Sequence, residues 1–150
     1  MNNKQLQKLV EEISLKFFFL PFKHQASFNS RLRTIGGRYL TVSHNIEINP
    51  KSYEIYGLDE LIGIIKHELC HYHLHIQGHD FSHRSKKFRE LLIKVNGTRY
   101  SKPIKKKPER TIKYLLICKS CKWVYPRKRK IDPKKYRCSK CGGELELMLN

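Results

Sequence analysis

The run His67-Glu68-Leu69-Cys70-His71 places two imidazoles four residues apart, with a carboxylate directly after the first. On a helix, positions i and i+4 share a face, so both rings could reach one Zn²⁺ while Glu68 takes a proton from the attacking water. That pairing is the chemistry of metal-assisted peptide hydrolysis. The flanking residues predict the helix, because Leu58, Leu61, Ile62, Ile65 and Leu69 recur with a period near 3.6. The plain alternative is an amphipathic helix whose histidines only hydrogen-bond.

A catalytic zinc usually takes three protein donors and keeps one position open, so a third ligand should follow. On a continuing helix His73 lies about 200° around from His71, and His75 one turn further along; both read as helix-surface residues. Gly78 is placed to end that helix. A second helix is predicted from near Ser82, with Phe88, Leu91, Leu92 and Val95 on one side and His83 in its first turn. His83 is therefore the candidate third ligand, with His79 in the connecting turn as the alternative. Glu90 is a weaker one, since its ordinary place is a solvated helix face.

Cys118-x-x-Cys121 and Cys138-x-x-Cys141 form two knuckles with sixteen residues between them, a spacing suited to structural zinc. Four thiolates close the tetrahedron and leave no position for chemistry. Paired disulfides suit secreted chains, and the polar start Met1-Asn2-Asn3-Lys4-Gln5 is no apolar signal sequence. Cys70, the fifth cysteine, reads as a small buried apolar residue.

His67-Glu68-x-x-His71, a third histidine ahead of an aromatic in the next helix (His83 and Phe88), and a four-cysteine ribbon together resemble the SprT-like proteins, relatives of the Spartan DNA-dependent proteases. The resemblance runs from the first helix through Cys141. It implies a small zinc-peptidase domain, in a family whose best-understood members are linked to degradation of proteins crosslinked to DNA. The expected fold class is α+β: a zincin-like metallopeptidase domain with an N-terminal helix, a three-stranded antiparallel sheet and two metal-binding helices, then a C-terminal Cys₄ zinc ribbon. One catalytic and one structural zinc are expected.

Composition divides the chain. Residues 1–97 are expected to form the peptidase domain, 98–112 a basic linker and 113–150 the ribbon. Leu6, Leu9, Val10, Ile13, Phe17 and Leu20 predict a first helix over 4–19, before Pro21. Strand signals follow at 28–32, 38–43 and 45–49, with Gly36-Gly37 as a hairpin turn. The strand near Tyr39 or Ile46 is the candidate edge for pairing with an extended substrate. Tyr39, Tyr72 and Tyr100 are candidate donors to the reaction's oxyanion.

Of the formal charge of +18, residues 1–96 carry 14 basic against 9 acidic residues and residues 97–150 carry 17 against 4. Basicity thus gathers in the linker and ribbon. Lys105, Lys106, Lys107, Arg127, Lys128, Arg129, Lys130, Lys134, Lys135 and Arg137, with Trp123 among them, suit a nucleic-acid backbone with bases available for stacking. The expected partners are nucleic acid, DNA above all, and protein substrates on it. No apolar run approaches the roughly twenty residues of a membrane span, and a cytoplasmic location is expected. The leading expectation is a zinc metalloprotease with Glu68 as general base; the alternative is a non-catalytic zinc protein that binds nucleic acid or regulates through protein contacts.

Overall fold

The chain starts with a helix whose first turn caps itself. Asn2 Oδ1 accepts the Gln5 amide and Gln5 Oε1 accepts the Asn2 amide, both at 2.9 Å, so two amides that a helix start leaves open are satisfied. A computed structural model describes residues 1–104 and 111–150, which fall into two compact units, Met1–Lys105 and Lys106–Asn150. Lys105, Lys106 and Lys107 lie outside the described residues.

Helix α1 (Asn3–Ile13) buries Leu6, Val10 and Ile13. It stops short of the predicted end at 19, passing into a π-helical turn, Ser14–Phe18, closed by Phe19 in a left-handed conformation (φ 57°). A tertiary contact accompanies that break: buried Ser14 donates to the Leu20 carbonyl and meets His73 Nε2, each at 2.7 Å. His73 is accordingly 4% exposed rather than a surface residue. Burial lowers its pKa to about 4, so the ring is neutral and gives its Nε2 proton to Ser14.

Strands β1 (Ala26–Phe28), β2 (Gly37–Tyr39) and β3 (Ile46–Ile48) make one sheet in the order β1-β3-β2. The sheet is mixed, not antiparallel throughout: β3 runs antiparallel to β2 but parallel to β1, with Ala26 opposite Ile46 and Phe28 opposite Ile48. Gly36-Gly37 consequently leads into β2 instead of turning a hairpin between neighbours. Asn49 holds the connection, its buried Nδ2 donating to the Leu32 and Ile35 carbonyls (2.7 and 3.2 Å) and its amide to Gly36 O. The same side chain caps a helix that the sequence reading did not anticipate, α2 (Pro50–Tyr56), with Pro50 in its first turn. Ile46 sits in the central strand, so of the two edge candidates only the Tyr39 strand lies at an edge.

Helix α3 (Leu58–Ile76) runs through the core, burying Leu61, Ile64, Ile65, Leu69 and Tyr72. It ends as predicted at Gly78 (φ 76°), where the Gly78 amide reaches His75 O and the His79 amide reaches Leu74 O, the paired bonds of a Schellman motif. Helix α4 (Lys86–Lys94) starts later than predicted, capped by Ser85, and leaves His83 in the turn before it.

Residues 98–104, read from composition as the start of a linker, instead strap across the first unit. The Thr98 amide bonds Gly63 O, the Lys102 amide bonds buried Glu60 at 2.7 Å, and Tyr56 Oη donates to Pro103 O. In the second unit β4 (Tyr114–Cys118) lies between β5 (Val124–Arg127) and β6 (Leu145–Leu149), all antiparallel. Its small core is Leu116, Cys118, Cys138 and Leu145. No helix among the described residues is long and apolar enough to cross a membrane.

Gly63 is where the strap meets the central helix, and a Cβ there would land on Thr98 Oγ1. Alanine in a helix interior ordinarily gains about 1 kcal/mol over glycine, but overpacking costs about 1–3 kcal/mol. Gly63→Ala is therefore expected to destabilise the protein in urea unfolding, and Thr98→Ala in the same chain to recover part of the loss.

Candidate metal centre

Three imidazoles converge in the lining of a cavity of about 520 Å³ between β2, α3, α4 and the strap. His67 Nε2 and His71 Nε2, one turn apart on α3, lie 3.2 Å from each other. His83 Nε2 closes the triangle at 2.9 Å from the first and 3.0 Å from the second. Phe88, 2% exposed, forms their common wall, stacking on His71 with ring centroids 4.4 Å apart. His79 is not part of the cluster: it is exposed, with Lys87 Nζ donating to its Nδ1 at 3.1 Å. Glu90 lies on the outer face of α4 near Lys86.

The opposite ring nitrogens decide what the triangle can hold. His67 Nδ1 faces the Thr98 carbonyl at 2.7 Å and His71 Nδ1 faces the Phe81 carbonyl at 2.6 Å. A carbonyl only accepts, so both Nδ1 atoms carry the proton and both Nε2 atoms present lone pairs. Burial keeps these rings neutral, lowering His67 below the usual histidine range and His71 to about 4. Two lone pairs 3.2 Å apart repel unless a cation or a donor lies between them. Donors about 2.05 Å from a tetrahedral zinc would be about 3.3 Å apart, close to the spacings found. The residues therefore fit zinc, with carbonyls orienting two rings from behind. Those carbonyls escaped the sequence reading, because a backbone oxygen brought in by tertiary folding leaves no residue-type signal.

Glu68 lines the same cavity and is 7% exposed. Burial pushes its carboxyl up to about 8, opposed by the Tyr39 backbone amide. Of the three tyrosines, Tyr39 Oη is shared between His44 and His75 at 2.6 Å each, and Tyr72 Oη is bound to His24 at 2.8 Å. Tyr100 borders the cavity with its hydroxyl accepting from Arg99 Nε.

In the second unit the four cysteine sulfurs cluster, all within 4.8 Å of one another. The Cys118–Cys141 and Cys121–Cys138 sulfurs are 3.5 and 3.6 Å apart. A disulfide would need about 2.05 Å, whereas thiolates around tetrahedral zinc stand about 3.8 Å apart. The Tyr125 hydroxyl, 3.2 Å from Cys138 Sγ, lowers that thiol to about 6.

Residues 6–109 match the model of the SprT-like family. The chain belongs to the SprT-like family. Residues 112–149 match the SprT-like zinc ribbon domain, so the second unit is that ribbon. Protein SprT-like of Bacillus subtilis (strain 168) is 54% identical over 146 residues, 97% of either chain. Protein SprT-like of Lysinibacillus sphaericus (strain C3-41) is 55% identical over 154 residues, 99% of either chain. The crystal structure of the metallopeptidase zymogen of Pyrococcus abyssi abylysin superposes with a TM-score of 0.49 at 18% identity, over 64% of this chain and 84% of that one.

The basic residues of this SprT-like ribbon are spread over its loops. Lys128, Arg129, Lys130, Lys134 and Lys135 are exposed, whereas Arg127 is half-buried on β5 with its guanidinium 5.7 Å from the Tyr125 ring. Arg137 pairs with Glu144 at 3.5 Å, and Lys140 Nζ lies 3.3 Å from the centre of the half-exposed Trp123 ring. With so small an apolar core, the ribbon would draw much of its folding energy from a zinc held by the four cysteines. Cys138→Ser is expected to remove about one zinc equivalent per chain, seen by elemental analysis, and to collapse the amide NMR resonances of β4–β6 to the narrow shift range of an unfolded segment while those of α3 stay dispersed.

Proposed function

We propose that this SprT-like protein is a zinc-dependent peptidase acting on proteins bound or crosslinked to DNA. The observation that carries the peptidase reading is the convergence of His67, His71 and His83 Nε2 atoms within 3.2 Å of one another, beside a buried Glu68. In this reading the three histidines hold a catalytic zinc and the four cysteines a structural one. A zinc held by His67, His71 and His83 would supply Lewis-acid chemistry there, polarising the scissile carbonyl and making water more acidic.

The chain's own groups do the rest. Glu68 accepts the water proton and delivers it to the leaving amine. Bonds from the Asn49 amide to Gly36 O and from the Leu40 amide to Asn45 O turn the even residues of β2 toward β3. Gly37 then points its amide and carbonyl to the open edge and Tyr39 its carbonyl, the Tyr39 amide being engaged by Glu68, so an extended peptide can pair there. Tyr100, whose hydroxyl accepts from Arg99 and keeps its own proton to give, is the candidate donor to the oxyanion. Tyr39 and Tyr72 are engaged by histidines.

The exposed Lys and Arg of the ribbon and the +13 carried by residues 97–150 support binding to nucleic acid, which would raise the local concentration of DNA-bound substrates. Five free cysteines suit the reducing cytoplasm. Glu68→Gln is expected to retain zinc yet lose peptidase activity on a DNA-bound protein by about 100-fold or more. His83→Ala is expected to lose the catalytic zinc as well. DNA affinity should fall by orders of magnitude between low and high salt. Full activity in Glu68→Gln would sink the peptidase reading, and salt-independent binding would sink the DNA half.

A further inference from the structure

We propose that Arg89 and Arg99 form a subsite for a carboxylate of the bound peptide, supplied by an acidic side chain or by a free C-terminus. This specifies the substrate of the peptidase proposed above and rests on that reading. Both arginines border the cavity that holds His67, His71 and His83. They reach it from separate elements, Arg89 from α4 and Arg99 from the strap that follows it. Among the described residues neither meets a carboxylate, whereas the cavity's other arginine, Arg38, is bound to Glu47 at 2.7 Å. Arg31, Arg33 and Arg84 also have no such partner among the described residues, but they do not line the cavity.

Glu68 is the one carboxylate in the cavity lining, and it lies buried. The walls nearby are apolar: Ile35, Ile64, Phe88 and Leu92. Two exposed guanidinium groups that meet no carboxylate among the described residues, set against apolar walls, focus a positive potential into the space a substrate must enter. Arg99 is also oriented, its Nε donating to Tyr100 Oη at 3.1 Å, which leaves its terminal nitrogens for a ligand. A guanidinium fork matches a carboxylate with two parallel hydrogen bonds. The apolar walls and the open edge of β2 favour a peptide over a phosphodiester. An extended peptide paired on that edge sends alternate side chains to the same side, so an acidic residue near the scissile bond would face the arginines.

The test uses full-length, zinc-loaded Glu68→Gln protein, so that binding is read without cleavage. Labelled peptides of one neutral sequence carry Glu, Gln or Lys at successive positions, each with a free or an amidated C-terminus, and affinity is measured by fluorescence anisotropy. At one position, or at the C-terminus, the acid is expected to bind about tenfold more tightly than its amide. Arg89→Gln with Arg99→Gln should abolish that preference, and Arg31→Gln with Arg33→Gln, which removes the same two charges from a surface outside the cavity, should leave it intact. Binding indifferent to charge, no binding at all, or a preference that survives the Arg89 and Arg99 substitutions would overturn the subsite. A short oligonucleotide that needs the same two arginines, with peptides bound regardless of charge, would overturn it in favour of phosphate. Acid preference in a protein whose wild type cleaves nothing would leave the subsite standing and remove the peptidase reading.

Discussion

Two backbone carbonyls govern this structure. By accepting from His67 Nδ1 and His71 Nδ1, the Thr98 and Phe81 oxygens fix both tautomers and turn both Nε2 lone pairs to one point. Either ring could otherwise rotate or change tautomer, and the triangle with His83 would lose its common focus. Holding the two Nε2 lone pairs of His67 and His71 3.2 Å apart costs electrostatic energy unless a cation or a donor lies between them, so the surrounding fold must impose the arrangement.

Several otherwise separate features serve that constraint. Helix α3 is buried over most of its circumference, so its two motif histidines cannot drift. The Schellman turn at Gly78 and the capped start of α4 bring Phe81 and His83 back over the helix. The strap presses Thr98 against Gly63, the one position on α3 where the missing Cβ lets it approach that closely. Glu60, buried but bonded to the Lys102 amide, anchors the far end of the strap. Asn49 acts similarly for β2, fixing the loop that delivers Gly36 and Gly37 to the cavity.

What could be read in advance follows the range of each interaction. His67, Glu68 and His71 were legible because their geometry is local: one helical turn sets it. The cysteine knuckles were legible for the same reason; His83, preferred over His79, is the histidine the structure brings to His67 and His71, though it sits in a turn and not in α4. The parallel β1–β3 pairing was missed because it joins strands far apart in sequence, and β2 lies between them in the chain. His73 was misjudged for a related reason: its partner, Ser14, is 59 residues away. The strap looked like linker because its hydrogen bonds use backbone amides, which prolines and lysines in the sequence do not advertise.

The central claim is that these three imidazoles, as they are already held, are the protein side of a zinc site. A crystal structure of the zinc-loaded protein with anomalous data on both sides of the zinc edge tests it directly. The account expects one peak within about 2.1 Å of the Nε2 atoms of His67, His71 and His83, with Thr98 and Phe81 still bonded to the Nδ1 atoms, and a second peak among the four cysteines. A zinc peak held by His79, or none at the three histidines while the cysteine site is filled, would contradict it.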